Sequence, residues 1–104
     1  GDIGLLDVLE YGEMIKKDFS LPRNLKILTD ATSANYKISP AEISHLHHVM
    51  KEQVKPYHSV KTAVIQEKPL ETAISMLVDS QGPIQAYQHQ VFSSRKAAIK
   101  WLLA

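Results

Sequence analysis

Three histidines fall within four residues of KISPAEISHLHHVMKE, the stretch from Lys37 to Glu52, and a serine stands directly before its proline. His45 and His48 are three apart, and Glu52 follows His48 by four, so a helix would line all three along one face. Two imidazoles and a carboxylate are reasonable metal ligands. The H-E-x-x-H spacing is lacking, no second ligand cluster accompanies them, and His58 and His89 lie far away in sequence. The expected reading is a solvated helix face with no metal. His47 instead falls beside Ile43 and Met50 on the apolar side, as a histidine at the core margin satisfied by one hydrogen bond. Nucleophilic chemistry has no visible apparatus: there is no G-x-S-x-G elbow, no P-loop and no G-x-G-x-x-G. The chain has no cysteine, which excludes disulfides and thiolate chemistry. We therefore expect no enzyme and no cofactor.

Two further residues qualify as pocket candidates. Asp30 ends the apolar run LKILTD, and ligands of open α/β sheets gather at the C-terminal ends of parallel strands. Tyr36 belongs to the loop that would rim the same edge. The competing reading of Asp30 is a loop cap. Arg95 and Lys96 open a helix, against the dipole preference; they would either meet an anionic partner or carry a small cost. Met14 and Met76 fall off the apolar stripes, as members of an exposed contact patch would.

These residues must be positioned by elements that hydropathy patterning predicts. A first helix spans about Gly4 to Asp18, with Leu5, Val8, Leu9, Gly12 and Ile15 on one face. Gly12 costs about 1 kcal/mol of helix propensity, so it marks either a close approach or a tolerated weak spot. LKILTD is a buried strand and ATSANYKI a loop. Ser39 caps the second helix, with Pro40 at its first position and Glu42 completing S-x-x-E. That helix runs to about Gln53 and buries Ile43, Leu46, His47, Met50 and Val54. Lys61 to Glu67 forms the next strand. Pro69 opens a third helix with a stripe of Leu70, Ala73, Ile74, Leu77 and Val78, stopped by Gly82-Pro83. Tyr87 to Phe92 is a strand with a wetter face. Ser93 caps a last helix from Ser94 to about Leu103 that buries Ala97, Ala98, Trp101 and Leu102. The order is α-β-α-β-α-β-α, which implies an α/β fold with a mainly parallel sheet.

Composition bounds the function. One domain of 104 residues, 44% hydrophobic, can bury a core. Twelve basic and eleven acidic residues give a net charge of +1, and the cations are scattered rather than clustered. Nucleic-acid binding, which needs a concentrated positive surface, is not expected. No apolar run approaches the roughly 20 residues of a membrane span, and no secretory signal is visible. A cytoplasmic location fits.

VFSSRKAAIKWLLA resembles the C-terminal signature of SpoIIAA-like proteins, a STAS-related family whose fold is also similar to CRAL-TRIO lipid-binding domains. LKILTDATSANYKISPAEI resembles the family's central strand, loop and helix, and GDIGLLDVLEY the end of its first hairpin. The resemblance spans nearly the whole chain. It implies one or two strands ahead of the first helix, with Gly1 to Ile3 as the stump of the last. If those strands are missing, the open sheet edge favours dimerisation or a longer native chain. It also places Ser39 where anti-sigma-factor antagonists of the STAS group carry a phosphorylated serine, although the surrounding Asp and Gly of that motif are absent. The function implied is a regulatory or protein-interaction module with a protein partner or a homodimer, binding through the second helix and its preceding loop. The alternative is a binder of a small apolar molecule or lipid. That alternative demands an elongated apolar cavity between sheet and helices, and a closed, contiguous core would contradict it.

Overall fold

Parallel pairing organises the described residues into an α/β fold of nine elements. The computed structural model describes residues 2–104, apart from the side chains of residues 75, 78 and 79. The elements are β1 (Asp2–Gly4), α1 (Leu5–Lys17), β2 (Asn24–Asp30), β3 (Asn35–Lys37), α2 (Pro40–Gln53), β4 (Ser59–Ile65), α3 (Pro69–Ser80), β5 (Tyr87–Phe92) and α4 (Arg95–Leu103). One sheet has the order β2-β4-β5 and the second pairs β1 with β3; every pairing between these strands is parallel.

The two short strands correct the predicted order. β3 lies inside the segment expected to be a loop, and it pairs Tyr36 with Ile3 and Lys37 with Gly4. Three residues are too few for a hydropathy pattern, so only the pairing defines the strand. The predicted stump falls on β1; Gly1 lies outside the described residues.

Alternation along the three long strands divides the sheet into two faces. On one, Ala63 and Ile65 pack with Ala98 and Leu102 of α4, flanked by Leu28, Phe92 and Trp101. Lys61 emerges on this face, its ammonium donating to the Trp101 carbonyl at 2.7 Å and lying 4.5 Å from the indole centroid. A cation at a helix C-terminus complements the dipole. The opposite face carries two separate clusters. Leu25, Tyr57 and Val60 form one, together with Ile15, Ile27 and Val54; Ala31, Ala34 and Val64 form the other, with Ile3 and Tyr36.

Each cluster is closed by a polar clasp. At the first, Arg23 donates to the carbonyls of Asp18, Leu21 and Pro56 and lies 4.3 Å from the Tyr57 ring centroid. The Tyr57 hydroxyl donates to the Ile15 carbonyl. At the second, Gln66, 2% exposed, donates to the Ala31 carbonyl and accepts from the N–H groups of Glu67 and Lys68. β4 ends at Ile65 and not at the expected Glu67, and beyond it the N–H groups of Glu67 and Lys68 donate to the Gln66 side chain instead of to a strand.

Other boundaries shift for local reasons. Ser94, not Ser93, caps α4, because its hydroxyl accepts from the Ala97 N–H at 3.2 Å. Ala97 is exposed, contrary to its expected burial, while Ala98, Leu102 and half-buried Trp101 face the sheet. The α3 stripe is the larger correction: Leu70 is 65% and Leu77 43% exposed, and Ala73 is exposed as well. Glu71 is the side chain buried in their place. Helical spacing reports that one face is apolar, but not whether a neighbour covers it. Val78, the last member of the stripe, has its side chain outside the described residues.

Candidate functional site

The gap between the two clusters is a cavity of about 460 Å³. Its floor is the sheet: Ile27 and Thr29 of β2, Val60 and Thr62 of β4, Tyr87 and His89 of β5. Register sets Ile27, Thr62 and His89 side by side across the three strands. The roof comes from two helices, with Val8, Tyr11, Gly12 and Ile15 from α1 and Leu46, Met50 and Gln53 from α2. Ile3, Ala31, Tyr36 and Ile38 close one end. Among the described residues the lining contains no lysine and no arginine and one carboxylate, Asp7, which already accepts from the Gly4 N–H at 2.8 Å. Convergent hydrophobic walls with a few polar groups are the common form of a small-molecule site.

The helices meet over this space through Gly12 and Gln53. A β-carbon at Gly12 would overlap the Gln53 Oε1 and stand 2.5 Å from its Cδ. The missing side chain therefore makes room for the Gln53 amide, which is 5% exposed. Its Nε2 donates to the Leu9 carbonyl at 3.0 Å and to the Glu13 carboxylate at 3.3 Å. This resolves the two sequence readings of Gly12 in favour of a close approach, with a side chain rather than a backbone as the neighbour.

A second, more polar cavity of about 450 Å³ lies beside β5, between His47, Gly82, Pro83 and Trp101; it shares Met50, Tyr87 and His89 with the first. His47 is 7% exposed, and its Nε2 lies 2.9 Å from the Gly82 carbonyl oxygen. The expected single hydrogen bond of a core-margin histidine is thus observed. Gly82 has φ of 117°, a backbone region natural to glycine.

Of the three residues proposed from sequence, only Tyr36 reaches the apolar cavity. Asp30 sits outside its lining on the exposed rim, where it accepts from the Thr32 hydroxyl at 2.7 Å, the Thr32 N–H at 3.2 Å and Arg95 at 3.2 Å. The Thr32 side-chain and backbone bonds, aided by the nearby Arg95 cation, hold its carboxyl below the usual aspartate value. It behaves as the loop cap that competed with the pocket reading. Arg95 finds its counter-charge here, within the chain. Ser39 is exposed at the start of α2, also outside the lining. Its N–H donates to the Glu42 carboxylate at 2.8 Å, as the capping-box spacing requires.

His45 and His48 are exposed on α2, and Glu52 pairs with Lys55 at 2.7 Å. Among the described residues no three His, Asp or Glu side chains gather closely enough to hold a metal ion. None of the helices searched among the described residues is long and apolar enough to cross a membrane. Sequence reasoning missed Gln53, Thr62 and His89. Gln53 carried a signal: it stands seven residues after Leu46, a polar residue on an apolar face. Thr62 and His89 carried only the alternation of their strands. Compared with protein-family models, with curated proteins and with solved structures, the chain matches none.

Proposed function

We propose that this protein binds a small apolar molecule in the cavity between α1, α2 and the three-stranded sheet. The observation that carries this reading is the division of the core beneath the two helices into separate clusters around about 460 Å³ of apolar-walled space. Its almost wholly apolar walls set it apart from the more polar cavity of similar volume beside β5. Its volume falls within the range of about 300–1,000 Å³ typical of ligand pockets. The residues act by exclusion of water and by shape, as in a carrier or sensor, and no chemical step is assigned to them. A cytoplasmic setting belongs to the same reading, on the support of a cysteine-free sequence.

A titration with the neutral dye Nile red tests it. Wild-type protein should give saturable, one-to-one emission enhancement. Thr29→Phe, which fills the cavity from the floor, should abolish that enhancement while holding or raising the melting temperature. Equal dye binding by both proteins, or none by the wild type, would refute the proposal.

A second reading is a regulatory or protein-interaction module of SpoIIAA-like type, acting as a homodimer. Its support is the outward apolar face of α3, with Leu70, Met76 and Leu77 at 65%, 61% and 43% exposure. Sedimentation equilibrium should then show a dimer that Leu70→Glu together with Leu77→Glu dissociates. A monomer across the micromolar range would remove this reading.

A further inference from the structure

We infer that the ligand of the apolar cavity is an uncharged lipophile with a hydroxyl head, recognised by the Gln53 side-chain carbonyl. The inference rests on the cavity reading above and adds the chemistry of the head group. Gln53 lines the cavity and is 5% exposed. Its Nε2 is committed to the Leu9 carbonyl and the Glu13 carboxylate, which fixes the orientation of the amide, since an oxygen at that position would face two acceptors. The Oε1 on the other side accepts no hydrogen bond from the described residues. No fully enclosed polar side-chain atom among those residues lacks a partner, so Oε1 must face open space. Oε1 lies nearest the place of the absent Gly12 side chain, and both residues line the cavity, so its open side is assigned to that space.

A nearly buried acceptor without a donor selects for a donor. A ligand hydroxyl would satisfy it, whereas an ether oxygen or a hydrocarbon would leave it unpaired. A fatty-acid head is disfavoured twice. Its carboxylate would add acceptors beside Oε1, and the lining offers no lysine or arginine to offset the loss of hydration. Gly12 takes part by leaving the amide its room, which any side chain there would occupy.

Competition against Nile red tests the head group without altering the protein. The competitors are 1-decanol, methyl nonyl ether of the same heavy-atom count, and decanoate at neutral pH. The expected result is displacement by 1-decanol at a concentration about tenfold or more below either of the others. Displacement by the ether or by decanoate at the same concentration as 1-decanol would overturn the head-group assignment and leave the cavity reading standing. If the dye itself shows no saturable binding, the cavity reading falls and this inference with it. Gln53→Met, its fold verified by circular dichroism, should bring the alcohol-to-ether ratio close to one. An unchanged ratio in that variant would remove Gln53 from the site.

Discussion

Replacing Gly12 by alanine is the sharpest test of how the two helices meet over the cavity. In an exposed helix interior this change stabilises by about 1 kcal/mol, because alanine restricts the unfolded chain and favours the helix. Here the new methyl would overlap the Gln53 Oε1 and stand 2.5 Å from Cδ and 2.8 Å from Nε2, so the amide has to leave. It forfeits its bonds to Leu9 and Glu13, each worth about 0.5–1.5 kcal/mol net. A displaced amide that stays buried adds a desolvation cost of about 1–3 kcal/mol, while one that swings outward opens a hole. Against the helix gain, the balance is a loss of about 0–2 kcal/mol for an amide that swings outward and about 1–5 kcal/mol for one that stays buried. In a Gln53→Ala background the overlap vanishes, and the same Gly12→Ala change should stabilise by up to about 1 kcal/mol. The coupling between the sites is then at least about 1–3 kcal/mol, measurable by urea unfolding of the four proteins in a double-mutant cycle. Stabilisation in both backgrounds, with coupling below about 0.5 kcal/mol, would show that Gly12 is only a weak spot and that Gln53 does not seat against it.

The cap of α4 predicts that Ser94→Ala loses about 1 kcal/mol while Ser93→Ala stays within about 0.5, both read from denaturation midpoints. Asp30 has its pKa lowered in the folded state, so its ionised form stabilises the fold. That contribution is complete above the ordinary aspartate pKa of about 3.9 and is lost as pH falls through the lower folded value. Asp30→Ala should therefore cost stability at pH 7 and progressively less below pH ~4, and a penalty that grows on acidification would refute this reasoning. The exposed histidine pair predicts that a His45→Ala, His48→Ala double variant changes stability by less than about 0.5 kcal/mol, with and without added zinc. A zinc-dependent melting temperature in the wild type alone would contradict it.

The long elements were legible because each carries a repeating signal and a chemical stop. Ser39-Pro40 and Glu42 marked the start of α2, and Ile43, Leu46 and His47 marked the face it buries. Tyr87–Phe92 matched its predicted strand end to end. The parallel α/β arrangement followed from alternation of strands and helices. What was not legible depends on contacts distant in sequence. β1 and β3 exist only through one another. The α3 stripe reads as core although Leu70 and Leu77 are exposed. Among the candidate residues, Tyr36 lay at the right sheet edge, whereas Asp30 turned towards Thr32 and Arg95. The cavity itself had no local signature, since Leu25–Asp30 and Val60–Ile65 would look the same above a filled core. Gly12 on the apolar face of α1 was read only as a close approach or a weak spot, and Gln53 on that of α2 was not singled out, although the two meet over the cavity.

Methyl-resolved NMR during titration with 1-decanol tests the central claim most directly. The cavity reading predicts saturable shift changes at methyls of both walls, Val8 and Leu46 above and Ile27 and Val60 below, with Ala98 and Leu102 behind the sheet undisturbed. Changes confined to the exposed Leu70 and Leu77 of α3, or no saturable change at all, would contradict it.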